Sequence, residues 1–279
     1  ALIRVKEETM STVPTKAYGI LEQTTVDSAL DEAVEQIQHL GYAVLDAGFS
    51  PAEVAHIAAE FDTVRAEYTT KYGLELLQSG NEHNTIRGMC TSGHDVFIKL
   101  ALNPNLMQLL KKLIKGSFVL NQQNGIVNPA KQGYNHGSWH RDLPYPPFVS
   151  SSVLAINALY CVDDFTTANG ATYVLPATHL REPFPSAQYI ARHAVQAEAK
   201  AGSFIVLDCM IYHSGGFNST DRDRRAINHV YNIPFFKQQI NLPNSMPGVP
   251  SDEAKQILGY AYAEPQSIDA YIASRVGKK

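Results

Sequence analysis

Between Val26 and Leu40, apolar residues fall at Val26, Ala29, Leu30, Ala33, Val34, Ile37 and Leu40. Steps of three and four put them on one helical face, and Gly41 supplies a stop. Tyr42 to Leu45 then reads as a short strand. Ser50-Pro51-Ala52-Glu53 combines an N-cap, a proline at the first helical position and a capping-box glutamate. The helix it starts carries Val54, Ile57, Ala58, Phe61 and Val64 on one side. Residues 72–100 keep no clear period and hold His83, Arg87 and His94, which predicts a long loop with short pieces of structure facing a pocket. Asn103-Pro104 opens another helix, with Leu106, Leu109, Leu110, Leu113 and Ile114 as its apolar side and Gly116 at its end.

The texture changes after Gly116. Ser117 to Asn128, Val153 to Val162, Ala171 to Leu175, Ser203 to Leu207 and Ala226 to Ile233 are rich in strand-forming residues. Turn chemistry separates them: Asn169-Gly170, a hairpin turn by composition, then Lys200-Ala201-Gly202 and Gly215-Gly216. Helices first and many short strands afterwards predict a mainly β chain with α: an antiparallel jelly roll with a helical layer packed on one sheet. We therefore expect a single domain over residues 1–279, with an N-terminal arm at 1–20 and a mainly helical layer at 21–116. The jelly-roll core follows at 117–234, and residues 235–279 wrap the barrel or cover its mouth, with a helix from Ser251 to Leu258.

Composition narrows the function. With 44% hydrophobic and 18% charged residues among 279, the chain is of ordinary globular type and long enough to build a core without disulfides. A net charge of −4 and the lack of any dense Lys/Arg run argue against a nucleic-acid partner. Cys90, Cys161 and Cys209 are widely spaced and form no CxxC pair, which argues against zinc and favours a reducing, cytoplasmic compartment. No apolar run reaches membrane-spanning length, and the first residues lack the apolar core of a signal peptide. Oligomeric state is not encoded legibly.

The candidate chemistry lies in Ser138-Trp139-His140-Arg141-Asp142 and, much later, His213. On an extended strand, His140 and Asp142 point to the same face, and His213, after the apolar run Ser203 to Met210, could bring a second imidazole. Two imidazoles and one carboxylate leave open positions on a metal, as non-haem Fe(II) oxygenases require. His-x-Asp alone is a weak signal in a chain with ten histidines. The bland alternatives are a surface-loop His140, a core His213 satisfied by backbone, and an Asp142 turn ahead of Pro144. A cluster of Arg222, Arg224 and Arg225 follows His213, and one guanidinium fork there suits the distal carboxylate of a 2-oxo acid, the others being solvated turn charges.

These residues carry a family resemblance. Trp139-His140-Arg141-Asp142 resembles the WHxD signature of the phytanoyl-CoA dioxygenase family of Fe(II)/2-oxoglutarate oxygenases, with arginine where glutamine is commoner. Asn169-Gly170-Ala171-Thr172 leading to Pro176-Ala177-Thr178-His179 resembles its "NG…PGSH" segment, and Gly202-Ser203 to Asp208 resembles the strand that delivers the distal histidine. His213 with Arg224 eleven residues on matches the family's distal histidine and co-substrate arginine. The resemblance runs from about Gly41 to Tyr231.

It implies a double-stranded β-helix, cupin-like, with iron held by His140, Asp142 and His213, and 2-oxoglutarate held by Arg224 with help from Asn124 or Asn128. Gly215 departs from a serine that some members use at the co-substrate. With O2, such an enzyme oxidises a C–H bond of a small organic molecule, most simply by hydroxylation, and releases succinate and CO2; specialised-metabolite biosynthesis is one setting. A carboxylate at Asp142 fills the position a halide takes in related halogenases, so hydroxylation is favoured over chlorination. Desaturation, cyclisation and epimerisation are same-cofactor alternatives. A jelly-roll metal-binding protein without 2-oxoglutarate turnover and a cupin-type metalloenzyme that ignores it are the rival readings. Residues around the signature and in the early loop are substrate-contact candidates: Trp139, Arg141, Tyr145, Phe148, Arg87 and His94, with packing as the other role for the aromatics.

Overall fold

The computed structural model describes residues 13–14, 16–143 and 148–276. Helix α1 (Ala29–Leu40) begins after Ser28, whose side chain accepts from the Asp31 N–H, so the helix starts three residues later than the apolar period does. Gly41 caps it in the left-handed region, at φ 84°. After β1 (Tyr42–Asp46), the Ser50–Glu53 capping box starts the 22-residue α2 (Pro51–Tyr72), which buries Ile57, Phe61 and Val64. The expected long loop is more ordered than predicted. It holds α3 (Leu74–Ser79), β2 (Thr85–Ile86), a 3-10 turn (Met89–Thr91) and α4 (Asp95–Ala101). Elements of two to seven residues are too short to show a period, although Phe97, Leu100 and Ala101 in α4 are buried at helical spacing. Helix α5 (Pro104–Leu113) ends at Leu113 rather than running to Gly116.

The strands follow: β3 (Val119–Asn128), β4 (Ala155–Cys161), β5 (Thr172–Val174), β6 (Val195–Ala197), β7 (Ser203–Asp208), β8 (His213–Ser214) and β9 (Arg224–Asn232). β6, β8 and helix α6 (Ala187–His193) are not legible as periods in the sequence. One sheet has six strands in the order β1-β7-β4-β9-β3-β2, and a second has three in the order β6-β5-β8. Every named pairing among the described residues is antiparallel. The tail carries α7 (Leu242–Ser245), the expected helix as α8 (Asp252–Leu258) capped by Ser251, and an unforeseen α9 (Ile268–Arg275). No described helix is long and apolar enough to cross a membrane.

The central strand β4 is buried at all seven positions, so its alternating side chains must be covered on both faces. On one face Ile156, Ala158 and Tyr160 join Ile37, Phe61, Phe97, Leu106, Leu109 and Leu110 from the helices in the larger core. On the other face Leu159 and Cys161 join Phe165, Val174, Ile205, Leu207, Ile211 and Ala226 in a smaller core that takes residues from both sheets. At about 2 kcal/mol for each fully buried Leu, Ile or Phe, the helix side is where this chain gains most of its hydrophobic stability. The smaller core opens at one end into a polar cavity.

Candidate active site

His140 and His213 form a single two-residue bridge. His140 N–H donates to the His213 carbonyl (3.0 Å) and His213 N–H donates back (3.1 Å). The extended strand expected at His140 thus shrinks to one bridging residue, and Asp142 is placed by its own N–H donating to the Cys209 carbonyl at 3.0 Å. The imidazole centroids lie 4.3 Å apart. Asp142 Oδ1 is 3.8 Å from His140 Nε2 and 3.6 Å from His213 Nε2. Among the described residues, these three form the one group of His, Cys, Asp or Glu donors that could hold a metal ion, all ligand atoms lying within 4.8 Å of one another.

The outer atoms of the three groups are already engaged. His140 Nδ1 donates to the Ser138 carbonyl (2.8 Å) and His213 Nδ1 to the Ile211 carbonyl (3.1 Å). Each bond fixes the tautomer and leaves the Nε2 lone pair turned inward. Asn157 Nδ2 donates to Asp142 Oδ2 (2.7 Å) and leaves Oδ1 for the centre. Burial pushes the Asp142 carboxyl up, but attraction to His213 and His140 and the Asn157 hydrogen bond outweigh it and hold the group at about 2. Burial, then repulsion from His213, pushes His140 down, so it stays neutral and able to donate a lone pair at neutral pH. Burial pushes His213 down, but attraction and hydrogen bonding to Asp142 outweigh it and raise its pKa, so a cation would take the place of that proton. With an ionised carboxylate and two inward-facing Nε2 atoms, the residues present fit a divalent cation.

Arg224 opens β9 and is 3% exposed. Its guanidinium lies 3.9 Å over the Phe165 ring, and Nη1 donates to the Gly170 carbonyl. No carboxylate lies within ion-pair distance of it among the described residues, and Nε has no partner. The Tyr134 hydroxyl faces it. Arg225, one residue on, points to the other side of the strand and is held by Asp163 (Nη2 to Oδ1, 2.7 Å) and Asp62 (Nη1 to Oδ2, 2.7 Å). A cavity of about 110 Å³ joins Arg224 to His140, Asp142 and His213.

The other expected site residues scatter. Arg87 and Asn124 line the cavity. Asn128 does not; its Nδ2 donates to the Gly216 carbonyl (2.8 Å), and Gly216 N–H donates to the same Gly170 carbonyl that Arg224 uses (3.2 Å). Gly170, at φ 75°, leaves no room for a Cβ against Gly216, so this turn must be glycine. Trp139 faces away from the cavity onto Tyr173 and Phe184. Arg141 is buried over the Tyr212 ring (4.0 Å) and donates to the Thr178, Arg181 and Glu182 carbonyls, bracing that turn instead of facing substrate. Phe148 packs on the Leu143, Cys209 and Val230 cluster. His94 binds Glu60 and Glu67 of α2, outside the cavity. Tyr145 lies outside the described residues.

Sequence reading missed Asn157, Tyr134 and His136, all of which line the cavity. Asn157 carried a usable signal, a lone amide in the otherwise apolar run Ala155–Cys161. Tyr134 explains Gly215: a Cβ there would collide with the tyrosine hydroxyl. Burial pushes that phenol up, so it remains an O–H donor. His136 is pushed down to about 4 by burial and by repulsion from His140 and Arg87, and so is neutral.

The model of the phytanoyl-CoA dioxygenase (PhyH) family matches residues 37–226. A Mycobacterium tuberculosis protein, Rv1501, is 28% identical over 254 residues, covering 88% of this chain and 92% of its own. The solved structure of the epimerase SnoN with Fe3+, alpha-ketoglutarate and nogalamycin RO superposes with a TM-score of 0.58 at 20% identity, over 80% of this chain and 92% of that one. EctD from S. alaskensis, with 2-oxoglutarate and 5-hydroxyectoine, gives a TM-score of 0.63 at 22% identity, over 77% and 80% respectively.

Proposed function

The chain belongs to the phytanoyl-CoA dioxygenase family of Fe(II)/2-oxoglutarate-dependent dioxygenases, and on that premise we propose that it hydroxylates an unactivated C–H bond of a small organic molecule, releasing succinate and CO2. The supporting observation is the buried guanidinium of Arg224, without a carboxylate of its own among the described residues, in the same cavity as two imidazoles and a carboxylate. A buried cation left unpaired costs several kcal/mol, roughly, unless an anion fills the space beside it. A dicarboxylate that reaches from the metal position to Arg224 meets that requirement.

His140, Asp142 and His213 would hold the iron, and Asn157 would keep the carboxylate turned toward it. Bound there, iron with 2-oxoglutarate and O2 supplies the oxidising power that removes hydrogen from the substrate. Arg224 and the Tyr134 hydroxyl would hold the distal carboxylate, Tyr134 doing the work of a hydroxyl that Gly215 cannot carry. Ile126 and Ala226 face each other one same-face step from the Asn128–Arg224 pair, an apolar length suited to two methylene groups. Asn128 would steady Gly216 behind Arg224, and Asn124 would close the co-substrate space on the mouth side. Arg87 remains the early-segment residue that faces substrate.

We read the whole of residues 1–279 as one catalytic domain whose two sheets form a double-stranded β-helix under the N-terminal helices, a reading supported by the cores they share. Three buried, unbridged cysteines support a reducing compartment, the cytoplasm. The test is incubation with Fe(II), 2-oxoglutarate and O2, following succinate. Formation that requires all three and vanishes in Asp142→Ala upholds the reading, whereas turnover indifferent to 2-oxoglutarate overturns it.

A further inference from the structure

The two ends of the cavity differ in chemistry. Beyond Ile126 and Ala226, the facing pair on β3 and β9 is Asn124–Asn228, and Gln122 donates to Asn228 Oδ1 (3.4 Å). At this mouth a carboxamide from the C-terminal segment, Gln239, turns inward. Its Oε1 accepts from Asn124 Nδ2 (3.1 Å) and from Arg87 Nη1 (3.3 Å). Both donors are fixed from behind. Asn124 Oδ1 accepts from Gly88 N–H (3.1 Å), which aims the amide nitrogen outward. Glu82 takes Arg87 Nε (2.8 Å) and Nη2 (2.6 Å), which orients the fork and offsets its charge.

Two aimed donors thus converge on one oxygen, one of them on a side chain that is 2% exposed. The oxygen itself comes from an exposed glutamine. Exchanging that oxygen for another acceptor costs little, because one hydrogen bond replaces another. Leaving the Asn124 amide empty would cost about 1–3 kcal/mol. Whatever fills the mouth must therefore bring an acceptor there.

We propose that the substrate is a compact polar molecule that presents a carbonyl-type oxygen to Arg87 and Asn124, in the position now taken by the Gln239 side-chain oxygen, and that long apolar acyl chains are not accepted. This assignment rests on the iron and 2-oxoglutarate reading above. Because Glu82 offsets the Arg87 charge, an incoming carboxylate finds no free ion pair to compensate its lost hydration, and the subsite takes a neutral carbonyl in preference.

The experiment uses 5-oxoproline and 2-piperidone, each against the ring that lacks the carbonyl oxygen, proline and piperidine, with octanoate as the apolar chain. Binding is read by saturation-transfer NMR under nitrogen, with 2-oxoglutarate present to fill the Arg224 end. The carbonyl member of each pair binds better, Arg87→Met weakens it by about tenfold, and Gln239→Ala, an exposed change that leaves the fold intact, strengthens it by removing the competitor. Equal binding within the pairs, preference for octanoate, or indifference to both substitutions would overturn the proposal. Failure of the enzyme reading shows separately: Arg87-dependent binding without any succinate retracts the chemistry and leaves the subsite, while Asp142-dependent succinate without carbonyl preference retracts the subsite alone.

Discussion

Strand β9 has two faces with opposite polar bookkeeping. On the helix side, Arg225 is matched by Asp163 and Asp62, His229 is held by the Ala158 carbonyl (3.0 Å) and Gln123 (2.8 Å), and the Tyr231 hydroxyl donates to the Ala101 carbonyl (2.6 Å). On the cavity side, Arg224 lacks a carboxylate, and Arg224 Nε, Asn128 Oδ1 and Asn157 Oδ1 have no partner among the described residues. Burial alone does not separate the two faces, since Arg224 and His229 are both nearly inaccessible. Charge pairing does. Unpartnered buried oxygens occur on the helix side too, at Gln123 Oε1 and the Tyr160 hydroxyl, but there the guanidinium is matched by carboxylates, whereas the unmatched one on the cavity side marks where an anion would bind.

The most severe way to break the cavity side is at its centre. Asp142→Ala removes the carboxylate both imidazoles face, so succinate formation should fall to the protein-free level and Fe(II) should no longer be retained on gel filtration, with melting temperature little changed. A sharper comparison sets the neighbouring arginines against each other. Arg224→Leu should raise KM for 2-oxoglutarate by about 10- to 100-fold, the worth of charge-assisted hydrogen bonds, without lowering the melting temperature of the metal-free protein. Arg225→Leu should leave that KM alone and cost about 1–2 kcal/mol of stability, because it strands the half-buried Asp163. If both variants moved the same quantity, the contrast between the faces would be wrong.

Asn157→Leu tests whether the cavity wall tunes the metal position. Losing the hydrogen bond to Asp142 Oδ2 should weaken metal affinity by about tenfold, measured by Co(II) titration, with the fold retained. On the helix side, His229 is pushed by burial down to about 4. Above pH 6.5 neither folded nor unfolded chain protonates it. As pH falls from 6.5 toward 4, the unfolded chain takes the proton and the folded one does not, so stability declines over that window by about 3 kcal/mol at most. His136, also pushed down to about 4, adds a parallel decline from the cavity. His229→Gln should therefore flatten roughly half of the pH slope in urea unfolding midpoints; an unchanged slope would show that burial does not hold the ring neutral.

Much of this was legible from local pattern. Ser50, Pro51 and Glu53 start a helix because their chemistry acts within one turn, and five main strands followed from composition between turns. The candidate donors were less plain: His140 and Asp142 alone made a weak pair, and it was the resemblance of the longer motifs that joined them to His213. Arg141 and His94 read as substrate contacts and are a turn brace and the partner of two α2 carboxylates, while Trp139 takes the packing role that was its alternative. Proximity in sequence to His140 says nothing of which way a side chain faces once the strand lasts a single bridge. Asn157 and Tyr134 line the cavity from a central strand and a loop, and Gln239 of the tail bonds two of its lining residues, by contacts that no window of sequence contains.

The sequence by itself determined the order of helices before strands, the two histidines and the aspartate available as candidate donors, and the three arginines near His213. The resemblance had pointed to Arg224 by its spacing from His213, but only the tertiary structure decided that its side chain, and not that of Arg225, faces the cavity. Alternation along a strand fixes that the two point apart, but which one points inward depends on the pairing of β9 with β3 and β4. Register is a property of long-range contacts, and a shift of one residue would have exchanged the two arginines.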